Sequence, residues 1–234
     1  MDRRSFIESC TAGTACFSAA LALPAFAADA RPKYYSRALL VDEQGAALKA
    51  SHLLVETNYL FHYPFEATPV FLLDLGRPAL PNSLSTRDRD VYAWPGGVGR
   101  QRSVVAFSAI CAHQLVYPTR DVSFISFRKT RAQRGVQDHL IHCCSDHSQY
   151  DPARGAQVLS GPATQPLCAV LLDHDPVADS LTAYATLGGE LFDDFFHKYR
   201  MKLSLEVGPA AGNAVAGQAV VRLLARFCRN PIQC

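Results

Sequence analysis

Two short segments of this 234-residue chain combine cysteine with histidine. The first is Cys111-Ala-His113, a C-x-H pair. The second is His142-Cys-Cys-Ser-Asp-His147, which contains the C-x-x-H pair Cys144 and His147. Cysteine thiolate and neutral imidazole are ligands that zinc and [2Fe-2S] clusters take in proteins. Two closely spaced pairs of this kind predict a metal centre.

Each pair follows an apolar run of the length of a buried strand. Residues 103–110 lead directly into Cys111, and residues 140–143 lead into the second pair. Such runs, bounded by polar turns, are typical of strands in a protein core. We expect the loops after these strands to meet tip to tip and to present two thiolates and two imidazoles.

The residues after the second pair extend the pattern. They are Ser148-Gln-Tyr-Asp151, then Gly155, then Ser160-Gly-Pro-Ala-Thr-Gln-Pro-Leu167. In this order the segments resemble Rieske proteins, whose C-x-H and C-x-x-H loops are accompanied by a Ser-x-Tyr-Asp segment and by a proline loop that covers the cluster. The resemblance covers residues 100–187.

The resemblance implies a fold class, a cofactor and a ligand set. The fold would be all-β, a Rieske-like antiparallel sandwich or barrel with cluster-binding loops and a few short helices. The cofactor would be a [2Fe-2S] cluster with Cys111 and Cys144 on one iron and His113 and His147 on the other. Such a centre carries one electron and has no substrate pocket of its own, so a self-contained enzyme is not expected.

The resemblance also implies how the potential is tuned. Hydrogen bonds to cluster sulfurs raise it, and Ser148 and Tyr150 are the candidate donors. Two departures from the family lie nearby. The disulfide that often joins the two cluster loops would fall at Val116 and Asp146, so it is absent. The basic segment 129–138 lengthens the interval between the loops and is expected to be an exposed insertion.

A third departure concerns which residues of the second loop are ligands. The family has a glycine between the ligand histidine and the Ser-x-Tyr-Asp segment, whereas Ser148 follows His147 directly. An alignment without a gap makes Cys143 the ligand and places Asp146 in the histidine position. We prefer Cys144 and His147 because they preserve the nitrogen ligand, and the alternative register stays open.

The N-terminus resembles a twin-arginine export signal. Asp2-Arg-Arg-Ser-Phe-Ile7 precedes an Ala-rich apolar stretch, residues 10–28, in which Ala25-Phe-Ala27 fits a cleavage site. This pattern predicts a signal over residues 1–27 and export to the periplasm of a folded protein that already holds its cofactor. The alternative is a retained inner-membrane anchor that leaves the domain facing the periplasm.

Six cysteines follow the predicted signal: Cys111, Cys143, Cys144, Cys168, Cys228 and Cys234. An oxidising compartment favours disulfides among them. Cys228 and Cys234 are spaced to close a small loop, whereas a bond between the neighbours Cys143 and Cys144 would be strained. The cysteine of that pair that is not a ligand is expected to be free or joined to Cys168.

Strand-like runs separated by turns predict an all-β domain. The runs cover residues 70–75, 103–110, 121–127, 140–143, 167–172 and 181–187. We expect the N-terminal part of this domain over residues 31–99, the cluster-binding region over 100–187, and a C-terminal helical extension over 188–234. Helices are predicted over residues 189–198 and 214–227.

These observations favour a periplasmic one-electron carrier or the small subunit of an oxidoreductase. Its partner would be a quinol-oxidising membrane subunit, a molybdenum subunit or a cytochrome. The alternative is a zinc- or disulfide-stabilised periplasmic binding module with a degenerate Rieske fold and no redox role. A formal net charge of +2 favours no nucleic acid partner. Membrane association is expected only if the signal is retained.

Overall fold

The computed structural model describes residues 30–129 and 138–234, and within these ranges the chain is mainly β. The strands are β1 (Lys33–Val41), β2 (Tyr59–His62), β3 (Pro69–Asp74), β4 (Asn82–Ser85), β5 (Val91–Trp94), β6 (Val104–Ser108), β7 (Val122–Ser123), β8 (Ile125–Arg128), β9 (Leu140–Cys143), β10 (Gln149–Asp151), β11 (Gln157–Ser160), β12 (Ala169–Asp175), β13 (Ser180–Leu187), β14 (Gly217–Val220), β15 (Arg222–Leu223) and β16 (Asn230–Pro231). The helices are α1 (Phe192–Glu206) and the single turn α2 (Leu224–Phe227), and short 3-10 turns lie at Ala50–His52, Pro152–Arg154 and Gly208–Ala210. The all-β class expected from the sequence is confirmed.

The larger sheet closes on itself. Its strand order is β14-β1-β13-β12-β6-β3-β2-β15. β14 pairs in parallel with β1, and β15 pairs antiparallel with β2. Because only Val221 separates β14 from β15, one stretch of chain joins both edges of the sheet. The sheet is therefore barrel-like, which protects its edge strands.

The central strands of this sheet are buried on both faces. Along β3, Val70 and Leu72 pack into one apolar cluster, while Phe71 and Leu73 pack into another on the opposite face. Successive strand residues point to opposite faces, so two buried faces require a continuous apolar run. This explains why residues 70–75 are apolar almost throughout.

A smaller sheet, in the order β11-β10-β9-β8, packs against the barrel. Ile141 of β9 pairs with Tyr150 of β10, and both share one hydrophobic cluster with Phe107 of the barrel. This shared core fixes the hairpin β9–β10 relative to β6. The turn of that hairpin and the loop after β6 are the two segments that carry the Cys/His pairs.

Helix α1 supports the loop that follows β6. Phe192, Phe195 and Leu203 are buried on one helix face, in a cluster with Ile110 and Tyr117. The ring centroids of Phe195 and Tyr117 lie 5.0 Å apart in an edge-to-face arrangement, a geometry that aromatic pairs favour.

The strand predictions are confirmed at β3, β6, β8, β9, β12 and β13. The helix predicted over residues 189–198 is present as α1, which begins at Phe192 and continues to Glu206. The helix predicted over residues 214–227 is wrong. That segment forms β14 and β15, and only its last turn is helical. Residues 217–220 pair with β1, and Arg222 and Leu223 pair with β2. Such tertiary pairing overrides local propensity.

The predicted signal, residues 1–27, and all but the ends of the basic segment 129–138 lie outside the described residues. Both therefore stay predictions. Within the described residues, no helix has the length and apolar character needed to cross a bilayer.

Phe195→Ala should destabilise the fold by about 3–5 kcal/mol, because Phe195 is fully buried between α1 and the loop after β6. Urea unfolding monitored by circular dichroism measures the change. Leu205→Ala on the same helix is the matched control, since Leu205 is 87% exposed and should change stability by less than about 0.5 kcal/mol. Equal effects of the two substitutions would contradict the packing of α1 described above.

Candidate metal centre

The first loop begins where β6 ends and turns tightly around Cys111. The Leu115 N–H donates to the Cys111 carbonyl at 2.9 Å, and the Cys111 N–H donates to the Val116 carbonyl at 2.9 Å. These bonds place the Cys111 side chain in the core, with no exposed surface. They leave His113 at the tip, with 38% of its side chain exposed.

The second loop is the turn between β9 and β10. The His147 N–H donates to the Cys143 carbonyl at 2.7 Å, and the Cys143 N–H donates to the Ser148 carbonyl at 2.9 Å. Cys143 is fully buried. The Asp146 side chain turns inward, is only 2% exposed, and accepts the Ser148 N–H at 2.9 Å through Oδ1.

The two loops meet at the Asp146 carboxylate. Its Oδ2 lies 3.1 Å from Cys111 Sγ and 3.1 Å from His113 Nδ1. The ligand atoms of Cys111, Cys143 and Asp146 all lie within 4.8 Å of one another. Two thiols, a carboxylate and an imidazole therefore converge at one point, where the inter-sheet core reaches the surface.

Tyr150 holds the inner side of this group. Its hydroxyl lies 3.3 Å from Cys111 Sγ and accepts the Ala112 N–H at 3.2 Å. The hydroxyl keeps its own proton while it accepts that N–H, so it can donate to the sulfur when Cys111 is a thiolate. Tyr150 is fully buried, so this hydrogen bond is shielded from water.

A third loop, residues 161–168, covers the second. The Ala163 N–H donates to Ser148 Oγ at 3.2 Å. Gly161 has φ +90°, and a Cβ there would lie 2.5 Å from Ser148 Cα, so glycine is required for this approach. Gln165 anchors the loop by accepting the Arg87 N–H and donating to the Gly189 carbonyl, both at 3.0 Å. The loop thus packs directly on the hairpin turn.

Cys144 and His147, the preferred ligands of the sequence analysis, lie outside the converging group. Cys144 forms a disulfide with Cys234, and His147 is exposed at a φ of +61°. The side chains that the fold brings to Cys111 and His113 are those of the alternative register, Cys143 and Asp146. Which residues bind a metal stays a prediction.

Backbone alternation separates the two adjacent cysteines. The Cys144 N–H donates to the Phe124 carbonyl at 2.6 Å, which extends the β8–β9 ladder by one residue. Neighbouring side chains in an extended chain point to opposite faces, so Cys143 enters the core and Cys144 faces the other way. There β16 pairs with β7 and brings the segment that ends at Cys234 alongside.

The expected cysteine pairings are therefore wrong. Cys234 bonds to Cys144 rather than to Cys228, and Cys168 is a buried free thiol. Arg128 backs the disulfide, with Nη2 2.9 Å from Cys144 Sγ and Nη1 2.8 Å from the Cys234 carbonyl. No local spacing could have indicated a bond across a sequence separation of 90.

The acidic groups of the cluster perturb each other. A hydrogen bond from the Cys143 thiol lowers the pKa of Cys111, and the same bond raises the pKa of Cys143. Burial opposes ionisation of Asp146, but hydrogen bonds from Ser148 and both thiols outweigh it and lower its pKa. Burial also raises the pKa of Tyr150, which keeps its proton as a donor. The lowered pKa values of Cys111 and Asp146 favour two negative charges in one buried site, which a bound cation would compensate.

No family model matches the sequence. Among solved structures, the chain is similar to the soluble domain of Rieske protein II (soxF) from Sulfolobus acidocaldarius. The identity is 24% and the TM-score is 0.48, over 67% of this chain and 82% of that chain.

Cys234→Ser should lower the free energy of unfolding by about 2–5 kcal/mol, because the lost disulfide closes a long loop. Urea unfolding measures the loss, and thiol alkylation followed by mass spectrometry should find one additional reactive cysteine, Cys144. Gln233→Ala, at the exposed residue before Cys234, is the control. A variant as stable as the native protein would contradict a structural role for this disulfide.

Proposed function

We propose that this protein is a Rieske-type one-electron carrier whose [2Fe-2S] cluster is held by Cys111, Cys143, His113 and Asp146. The observation that carries the proposal is the buried convergence of the two thiols and the Asp146 carboxylate at the tips of two loops. Thiolates in the core and an imidazole at the surface suit a cluster with one inner and one outer iron.

The residues fit a cluster of mixed ligation better than the usual two-cysteine, two-histidine set. The usual set would need Cys144 and His147 as ligands. Cys144 is in a disulfide, and His147 is exposed to solvent. Asp146 takes the place of the second histidine, and its Oδ2 is already 3.1 Å from His113 Nδ1. Carboxylate oxygen and imidazole nitrogen are both established iron ligands.

When bound, such a cluster supplies reversible transfer of a single electron. Replacing a neutral imidazole by a carboxylate adds one negative charge, which disfavours the reduced state. Centres with two histidines span about −150 to +300 mV, and plant-type four-cysteine centres lie near about −400 mV. We expect this protein to fall between these classes.

The surrounding residues position the ligands and set the potential. With Cys111 bound as a thiolate, the Tyr150 hydroxyl 3.3 Å away would donate to Sγ and withdraw charge from it. Ser148 acts mainly on the loops, since its N–H fixes Asp146 and its Oγ accepts the Ala163 N–H of the covering loop. The hydroxyl proton of Ser148 is free to be donated toward the cluster.

The proposed location is the periplasm. The twin-arginine pattern at residues 3–4 and the A-x-A site at residues 25–27 support export of the folded, loaded protein. A retained signal would instead anchor the domain to the inner membrane. In either place the protein passes electrons between redox proteins: a quinol-oxidising subunit, a molybdenum subunit or a cytochrome.

A zinc-stabilised binding module is the second candidate. Three ligand atoms within 4.8 Å of one another, with His113 beside them, also match the ligand types of a single zinc ion. Elemental analysis separates the two candidates, because a cluster contains two irons and acid-labile sulfide per chain.

The decisive experiment combines metal analysis with electron paramagnetic resonance of the dithionite-reduced protein. The native protein should give a rhombic [2Fe-2S] signal, and Cys143→Ser and Asp146→Ala should abolish it because each removes a ligand. His147→Ala and Cys144→Ser should retain it. If His147→Ala and Cys144→Ser lose the signal while Cys143→Ser and Asp146→Ala retain it, the ligands are Cys144 and His147 instead. Zinc without iron in the native protein would sink the electron-transfer function.

Asp146→His provides a positive test in the same series. It restores a nitrogen ligand and removes one negative charge, so the cluster should be retained with a midpoint potential higher than in the native protein. Redox titration followed by electron paramagnetic resonance measures it. An unchanged potential would show that Asp146 does not bind iron.

Tyr150→Phe should lower the midpoint potential by about 40 mV, equivalent to about 1 kcal/mol for one electron, because a hydrogen bond to the Cys111 sulfur is lost. The same redox titration measures it. Tyr63→Phe is the control, since Tyr63 is also fully buried but lies in the other apolar cluster, inside the barrel. A potential that shifts equally in both variants would exclude a specific effect of Tyr150.

A further inference from the structure

Helix α1 presents an exposed basic face. We define the basic face of α1 as His197, Lys198, Arg200, Met201, Lys202 and Leu205, all of which are exposed. The sequence has no acidic residue between Phe195 and Leu205. Met201 is 73% exposed and Leu205 is 87% exposed, so the positive charges are interspersed with large apolar side chains.

This face continues into the first loop of the metal centre. Lys198 Nζ donates to the Gln114 carbonyl at 2.6 Å, and Gln114 is the residue after His113. Lys202 Nζ lies 4.8 Å from the ring centroid of Tyr117, further along the same loop. Lys198 and Lys202 therefore connect the basic face of α1 to the loop that carries His113.

The tips of the two loops add no exposed negative charge to this surface. Their exposed residues are His113, Gln114, Ser145 and His147. The acidic residue of the second loop, Asp146, is turned into the centre with 2% of its side chain exposed. At the far end of α1, Glu206 lies 3.7 Å from Lys202 and accepts the Tyr117 hydroxyl.

The acidic residues at the start of α1 precede the basic face. Asp193 and Asp194 lie in its first turn, and Asp194 is within 3.5 Å of Arg87. The exposed side of α1 thus runs from an acidic first turn to a basic stretch, and the basic stretch contacts the first loop through Lys198 and Lys202.

We propose that the basic face of α1, together with the His113 tip, is the docking surface for an acidic soluble redox protein that exchanges electrons with the centre. The proposal rests on the proposed function. Charge complementarity selects the partner, because interspersed positive charges steer an acidic protein toward the surface and raise its association rate. Exposed Met201 and Leu205 supply apolar contact, and methionine and arginine are enriched at protein interfaces.

Two forms of one electron acceptor test this proposal. Mitochondrial cytochrome c is basic, and its succinylated form is acidic with the same haem. Each is mixed in a stopped-flow instrument with the reduced protein, which gives up one electron and reduces one haem from Fe(III) to Fe(II). At about 10 mM ionic strength the acidic form should react at least about tenfold faster than the basic form, and this advantage should vanish near about 200 mM.

Charge reversal locates the effect. Arg200→Glu with Lys202→Glu should slow the reaction with the acidic form about tenfold or more at low ionic strength. Arg77→Glu with Arg100→Glu is the matched control and should leave it within about twofold. Arg77 follows β3 and Arg100 precedes β6, at the end of these paired strands opposite the first loop. Arg200→Glu alone provides a second variant that leaves the Lys202–Tyr117 contact in place.

The outcomes separate docking from the proposed function. Electron paramagnetic resonance of each variant before mixing reports the cluster, and calorimetric titration with the acidic cytochrome reports docking even without one. Equal effects of the two double variants, or no preference for the acidic form, would overturn the docking surface. So would binding to phosphatidylglycerol vesicles that is lost only in the Arg200/Lys202 variant, because the face would then recognise lipid.

Discussion

The Asp146 carboxylate joins the parts of this site. One oxygen is fixed by the Ser148 N–H of its own turn, and the other reaches Cys111 and His113 of the opposite loop. A carboxylate buried to this degree needs such donors, because an unpaired charge would be strongly disfavoured. The two loops therefore meet through hydrogen bonds to this one carboxylate. Ser145 adds a second link, donating to Gln114 Oε1 at 3.2 Å.

The alternation of side chains along one strand gives two adjacent cysteines different chemistry. Cys143 ends β9 and shares the core with Cys111, while Cys144 faces outward and is joined to Cys234. Arg128 is almost fully buried behind that disulfide and donates to backbone carbonyls there. A shift of one residue in β9 would exchange the two cysteines. The burial of Cys143 in the core holds this register, and the disulfide ties the segment around Cys234 to the opposite side of the turn.

Much of the scaffold could be predicted from the sequence. Apolar runs such as residues 70–75 and 140–143 identify strands because their burial on the sheet faces is a local property of the chain. The pairing of residues 217–223 with both edges of the barrel is not local, and the same valines and alanines were assigned to a helix. The Cys144–Cys234 disulfide could not be predicted either, because it is also not local. It depends on the pairing of β16 with β7, which brings together residues far apart in sequence.

The sequence indicated part of the converging group, and which residues bind a metal stays a prediction. Cys111 and His113 lie where the C-x-H pattern placed them. For the second loop, the preference for Cys144 and His147 rested on the chemistry of an expected nitrogen ligand. The spacing from Ser148 to Tyr150, read without a gap, indicated Cys143 and Asp146 instead. Backbone geometry determines which side chains of the second loop can reach Cys111 and His113, whatever ligand type the metal prefers. If the carboxylate is a ligand, its extra charge lowers the potential of the centre while the neighbouring lysines and arginine of α1 stay positive. An acidic partner would then dock on the positive surface of α1, although the cluster with which it exchanges electrons is negatively charged.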